Sequence, residues 1–194
     1  MKVFQEGGFS TFDFVSYELP NPSHHEDTDR CLPQSNPRQT INYRHNGGEA
    51  NCNGNVASYC TAGTTTNGCN ATVTATGTPS ASAATGFDIT IGNVEGSKQG
   101  IVFWGTRPRA TSWGSGSSFL CVGTPLKRTG VQGSGGTSGS CNGSLTLDFN
   151  AWMVSHPFSA PPSGTQVYLQ GWFRDPPAPK TTSLSNGLVF TVCP

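Results

Sequence analysis

Three runs in the last third of the chain alternate apolar and polar residues. They are Gly-Ser-Leu-Thr-Leu-Asp-Phe-Asn at 143–150, Gln-Val-Tyr-Leu-Gln-Gly-Trp-Phe-Arg-Asp-Pro at 166–176 and Asn-Gly-Leu-Val-Phe-Thr-Val-Cys-Pro at 186–194. Successive side chains of an extended strand point to opposite faces, so a period of two buries one face and wets the other. Gly, Pro or Asn bounds each run, where the backbone can turn. The pattern predicts half-buried antiparallel strands. Four earlier runs, at 71–76, 86–91, 100–105 and 118–123, are rich in β-branched and aromatic residues and also read as strands. The expected fold is all-β, an antiparallel β-sandwich of about seven or eight strands. Residues 150–154 are the one helical candidate, for a single turn.

Composition supports this and excludes several functions. Only 34% of residues are hydrophobic and 11% charged, with 25 Gly and 14 Pro, which suits short strands joined by turns better than helices. The formal net charge is zero, so no basic face points to nucleic acid. No apolar run reaches the roughly 18 residues of a membrane span. Seven cysteines, none spaced as C-x-x-C, read as disulfides rather than a zinc site. Disulfides persist in oxidising compartments, so a secreted or periplasmic protein is expected. Residues 1–8 lack the apolar centre of a signal peptide, and the expectation is a fragment of a longer reading frame.

The chain divides into residues 1–56, a Pro-rich and partly irregular N-terminal extension, and 57–194, a disulfide-linked β-sandwich domain. The extension allows one strand around Phe12 and Phe14, then runs through Pro20, Pro22, Pro33 and Pro37 with few aliphatics. In the domain, Cys60 and Cys69 flank a short loop that a mutual bridge would close, worth about 2–3 kcal/mol. Residues 130–140 read as a long flexible Gly/Ser/Thr loop.

An ordered set of motifs carries a resemblance: Ser58-Tyr59-Cys60-Thr61-Ala62, Asn67-Gly68-Cys69, Gly77-Thr78-Pro79-Ser80-Ala81-Ser82, 100–105, Leu120-Cys121-Val122, Leu147-Asp148-Phe149-Asn150, Trp172-Phe173-Arg174-Asp175-Pro176 and 187–194. Over about 58–194 the chain resembles the C-terminal all-β module of large exported proteins from environmental bacteria. The resemblance implies export and an all-β fold, and no particular activity. Some relatives carry a cysteine where this chain has Leu169, and by that resemblance Cys141 is expected to be unpaired. Bridges Cys121–Cys193 and Cys31–Cys52 are the further expectations.

The densest chemical cluster is His24-His25-Glu26-Asp27-Thr28-Asp29. Asp27, Asp29 and Glu26 offer oxygens to a hard ion such as calcium, and His24 and His25 suit a transition metal. The competing reading is a solvated polar patch. Asn51-Cys52-Asn53-Gly54-Asn55 has the oxygen-rich look of a calcium loop without a carboxylate, and reads as an Asn-Gly turn. Gly135-Gly136-Thr137-Ser138-Gly139 has neither the strand before nor the helix after that a nucleophile elbow needs.

His156 is the one histidine of the β domain, and paired with Asp148 or Asp175 it could move a proton in acyl transfer. The competing reading is a surface histidine. Arg174 could hold a substrate carbonyl or carboxylate, or pair with an acid on the strand face. Asp175 could bond the backbone where the chain turns at Pro176. Trp113 reads either as core or as an exposed ring that stacks on a sugar or an acyl chain.

Two functions are carried forward. The first is a hydrolase that opens an ester or lactone of a small molecule, with calcium or another divalent metal as cofactor. Its catalytic candidates are His156, Asp148, Asp175 and Arg174. Its metal candidates are His24, His25, Glu26, Asp27 and Asp29. Through no single motif, the chain also resembles hydrolases of N-acyl-homoserine lactone signals found in environmental DNA, which implies quorum quenching. The alternative is a non-enzymatic exported β-sandwich module for surface attachment or carbohydrate binding, whose mark would be a row of exposed aromatics.

Overall fold

A computed structural model describes residues 52–114 and 117–194. The segment with Phe12, Phe14, His24, His25, Glu26, Asp27, Asp29 and Cys31 lies outside the described residues.

Among the described residues, eleven strands and one helix form in chain order. They are β1 (Ala57–Tyr59), β2 (Thr72–Gly77), β3 (Phe87–Val94), β4 (Gln99–Gly105), β5 (Pro108–Ser112), β6 (Phe119–Val122), β7 (Lys127–Arg128), β8 (Gln132–Gly133), β9 (Gly143–Asp148), α1 (Phe149–Ser155), β10 (Gln166–Arg174) and β11 (Thr182–Thr191). All seven strands expected from the alternating and β-branched runs are present. The count exceeds the expected seven or eight because β1, β5, β7 and β8 are short and almost wholly exposed, so no apolar alternation marks them.

The larger sheet runs β1-β11-β10-β4-β7, with β8 also on β4, and the smaller runs β2-β3-β9. Every strand pair is antiparallel. The sheets bury one core between them, as the alternation requires. Ile89 and Ile91 of β3 and Leu145 of β9 meet Val102 and Trp104 of β4, Leu169 and Phe173 of β10, and Leu188 and Phe190 of β11. Each large side chain removed from water contributes roughly 1.5–3 kcal/mol. Gly171 leaves room for Ile91, whose Cδ1 would lie 2.4 Å from a Cβ at that position.

Helix α1 closes one end of this core. Asp148 is its N-cap, its Oδ1 accepting from Ala151 N at 3.0 Å. Phe149, Trp152 and Met153, three and four residues apart, put one face into the core. Phe149 meets Phe190 and Trp104 edge to face, with ring centroids 5.0 and 5.7 Å apart. The expected single turn at 150–154 is this helix.

A bulge gives the larger sheet a second, outer apolar face. Gln170 pairs with Gly187 and Trp172 with Leu184, so β11 carries one extra residue at Ser185-Asn186. Leu188 therefore faces the inter-sheet core while Leu184, four residues earlier, faces outward with Phe103 and Trp172. The hairpin β5–β6 lies over this face, adding Val122, Leu120 and Trp113 to a second small core.

Three disulfides form among the described residues: Cys52–Cys193, Cys60–Cys121 and Cys69–Cys141. They correct every expected bridge. Cys60 does not close a loop with Cys69, because it follows β1 on the larger sheet and faces Cys121 of β6. Cys69 precedes β2 on the smaller sheet and meets Cys141, which precedes β9, so Cys141 is not the unpaired thiol. Cys193 takes Cys52, since residues 52–55 run beside the end of β11, where Thr191 N donates to Gly54 O at 2.6 Å. That excludes both Cys121–Cys193 and Cys31–Cys52. Proximity in space overrode proximity in sequence.

Residues 130–140 also depart from the free loop expected. Gly96 N donates to Ser140 O, Ser97 N to Gly135 O and Ser134 N to Lys98 O, each within 2.8 Å. The segment is stitched to the β3–β4 turn. A Cβ on Gly96 would stand 2.3 Å from Thr137 O, which makes a glycine necessary at that approach.

Candidate functional site

The hairpin covers only part of the outer face, and the uncovered part is a groove of about 660 Å³. That volume falls within the range of small-molecule sites. Its floor is Ile101 and Phe103 of β4, Trp172 of β10 and Leu184 of β11. One wall is Trp113 and Leu120 from the hairpin, and the other is Leu126, Thr129 and Val131 from the segment around β7. Val131 remains 70% exposed, an apolar side chain left at the mouth.

Three cations stand among these apolar groups. Arg128 lies on β7 opposite Phe103, Arg174 ends β10 opposite Thr182, and Lys180 closes the turn between β10 and β11. The Arg174 guanidinium lies 5.6 Å from the Trp172 ring centroid and the Lys180 ammonium 4.2 Å from that of Trp113. Trp113 is fixed on its other side, since Nε1 donates to Thr182 Oγ1 at 3.0 Å. Trp113, Lys180 and Thr182 also border a smaller, hydroxyl-rich pocket of about 140 Å³ containing Thr64, Thr66 and Ser117.

The structure brings Arg174 and Trp113 together at one groove. Among the described residues, Arg174 is not paired with an acid as the sequence allowed. The one ion pair among the described residues is Lys98–Glu95, at 3.1 Å. Trp113 is half-buried against the outer core and also lines the groove.

The other catalytic candidates are placed apart. Asp148 is committed at the head of α1, where Oδ2 also accepts from Gly86 N at 3.0 Å. Burial raises its pKa, but hydrogen bonds from the backbone of Ala151, Gly86, Phe87 and Asn150 outweigh this and hold the carboxyl below its ordinary value. Asp175 is buried behind the β10–β11 turn. Its Oδ2 accepts from Thr66 N at 3.1 Å and Ser183 Oγ at 2.8 Å, while Oδ1 has no partner among the described residues. It bonds backbone as expected, though of a strand-distant segment rather than its own turn.

His156 caps the end of α1 and stacks on Trp152, with centroids 4.7 Å apart. Its Nδ1 lies 2.9 Å from both Ser155 Oγ and Trp152 O, and no carboxylate among the described residues pairs with it. His156, Asp148 and Asp175 therefore form no hydrogen-bonded dyad with one another.

Among the described residues, no group of three or more His, Cys, Asp or Glu is placed to hold a metal ion. The metal candidates His24, His25, Glu26, Asp27 and Asp29 lie outside them. Asn53-Gly54-Asn55 forms the expected Asn-Gly turn, with Asn55 N donating to Asn53 Oδ1 at 3.0 Å.

Sequence reasoning missed Arg128, Lys180, Leu120 and Leu126 as groove residues. They sit in short strands and turns without periodicity. The available signal was Trp172-Phe173-Arg174, an alternating run whose outward side carries a large aromatic and a cation instead of small polar residues. No protein-family model, curated protein or solved structure matches this chain.

Proposed function

We propose that the outer-face groove is the ligand site of this protein, and that its ligand is a small amphiphilic ester or lactone. The N-acyl-homoserine lactones are the members of that class that the sequence resemblance implies. One observation supports the reading above the others: a concave apolar floor of Phe103, Trp172 and Leu184 bordered by Arg174 and Lys180. An acyl chain gains burial on the floor, and the Arg174 guanidinium can donate to a carbonyl oxygen or to the oxyanion formed from it. Three disulfides support a place outside the cytosol, in the secreted or periplasmic space.

Hydrolysis is the activity we assign to the protein. The cluster from His24 to Asp29 supports it, because carboxylates and imidazoles are the groups that hold a divalent ion, calcium in the first instance, and such an ion lowers the pKa of bound water. A second reading, binding without turnover, is favoured by the groove lining itself, which among the described residues contains no carboxylate, imidazole or thiol. Attachment to a flat glycan surface has less support, since the one strongly exposed aromatic among the described residues is Phe158, away from the groove.

The deciding experiment is ring opening of an N-acyl-homoserine lactone by the purified chain, with and without a chelator, followed by chromatography. Turnover abolished by chelator and restored by calcium supports the metal-assisted hydrolase. Binding without turnover in any condition leaves the second reading, and neither binding nor turnover removes both.

A further inference from the structure

The groove has a charge imbalance that an ester or lactone does not account for. Among the described residues, the groove lining holds Arg128, Arg174 and Lys180 and no acidic residue. None of the three forms an ion pair among the described residues. Two are held against ring faces that also build the groove, Arg174 on Trp172 and Lys180 on Trp113. An indole face orients a cation without neutralising it. Beside an apolar floor the effective dielectric is lower than in water, so these charges act strongly on a bound anion.

We propose that the groove selects an acyl carboxylate over its neutral counterparts, so that the ring-opened product of a lactone binds more tightly than the lactone itself. This rests on the reading of the groove as the ligand site. Lactone hydrolysis breaks the acyl carbon–oxygen bond, adds the oxygen of water to the acyl carbon and leaves a hydroxyl on the former ring oxygen. The new carboxylic acid releases its proton near neutral pH, which creates the negative charge. A carboxylate accepts paired hydrogen bonds from a guanidinium and the charge of an ammonium, whereas a lactone offers only neutral oxygens. The consequence is retention of an anionic amphiphile, felt as product inhibition where the protein turns over and as ligand preference where it only binds.

The test titrates the purified full chain with octanoate, its neutral isostere octanamide, and octyltrimethylammonium, each below its micellar concentration, by calorimetry and tryptophan fluorescence. The expected result is octanoate binding about tenfold or more tighter than octanamide, as desolvated charge pairing allows, with the ratio falling as salt is added. The variant Arg174→Gln/Lys180→Gln, checked for native circular dichroism, is expected to bring the ratio to about one. Should that variant not fold, the salt dependence of the wild-type ratio decides. Equal binding of octanoate and octanamide, or tightest binding of the cation, overturns anion selection while leaving the groove as a ligand site. No binding of any of the three overturns the proposal and the reading beneath it together.

Discussion

Gln170 on β10 reaches outward to β6 and accepts a hydrogen bond from the Cys121 N–H at 3.0 Å, with its own side chain fully buried. Its Nε2 donates to Ser185 O at 2.6 Å, inside the β11 bulge, and to Phe119 O at 2.8 Å. One carboxamide thus ties the hairpin to the sheet and satisfies the backbone that the bulge leaves open. Replacing Gln170 with Leu keeps the volume and removes all three bonds. The expected cost is about 3 kcal/mol, the penalty for orphaned buried polar groups, read as a lower midpoint of denaturant unfolding. A loss below about 1 kcal/mol would show that the carboxamide does not hold the layers together.

The bridges Cys52–Cys193, Cys60–Cys121 and Cys69–Cys141 enclose long stretches, with sequence separations of 141, 61 and 72. Non-reducing peptide mapping is expected to recover these three pairs and no Cys60–Cys69 peptide. Replacing both cysteines of any one pair with serine is expected to lower stability by about 2–5 kcal/mol. A Cys60–Cys69 peptide in native material would overturn the connectivity.

Asp148 makes the head of α1 sensitive to acid. Its carboxyl titrates below the ordinary value in the folded state, so the unfolded chain binds the proton more readily. The stabilisation is complete above the ordinary aspartate range, about pH 4, and disappears as pH falls through the lower folded value. Asp148→Ala is expected to cost about 1 kcal/mol at neutral pH, the size of a lost N-cap. The difference from wild type should shrink in thermal melts as acid is added. A difference that grew with acid would contradict this assignment.

Trp113 is a wall of the groove and a support for Lys180. Trp113→Ala is expected to weaken octanoate binding about tenfold or more, as truncation of a buried aromatic anchor does. Trp113→Phe, which keeps a ring but deletes the bond to Thr182 Oγ1, should retain most of the affinity. Calorimetric titration of both variants checks this, and equal affinities for wild type and Trp113→Ala would remove Trp113 from the site.

Much of the strand inventory was legible because burial on one side of a sheet writes itself along the chain. Val167, Leu169 and Phe173 alternate with Tyr168, Gln170 and Trp172, and the fold puts the first set into the inter-sheet core. The short helix was legible for a related reason, since Phe149, Trp152 and Met153 share a face. The groove was half legible. Arg174 and Trp113 stood out by type, but Arg128 and Lys180 are ordinary exposed cations until the sheet sets them beside the same floor.

By itself, then, the sequence determined an all-β, cross-linked domain, because strand periodicity and cysteine chemistry are local properties of neighbouring residues. Only the tertiary structure decided which cysteines meet, where the one-residue bulge turns Leu184 outward, and that Asp148, Asp175 and His156 take separate places. Those outcomes depend on contacts between segments tens of residues apart, whose register is set by packing of the whole core and is not written in any single stretch.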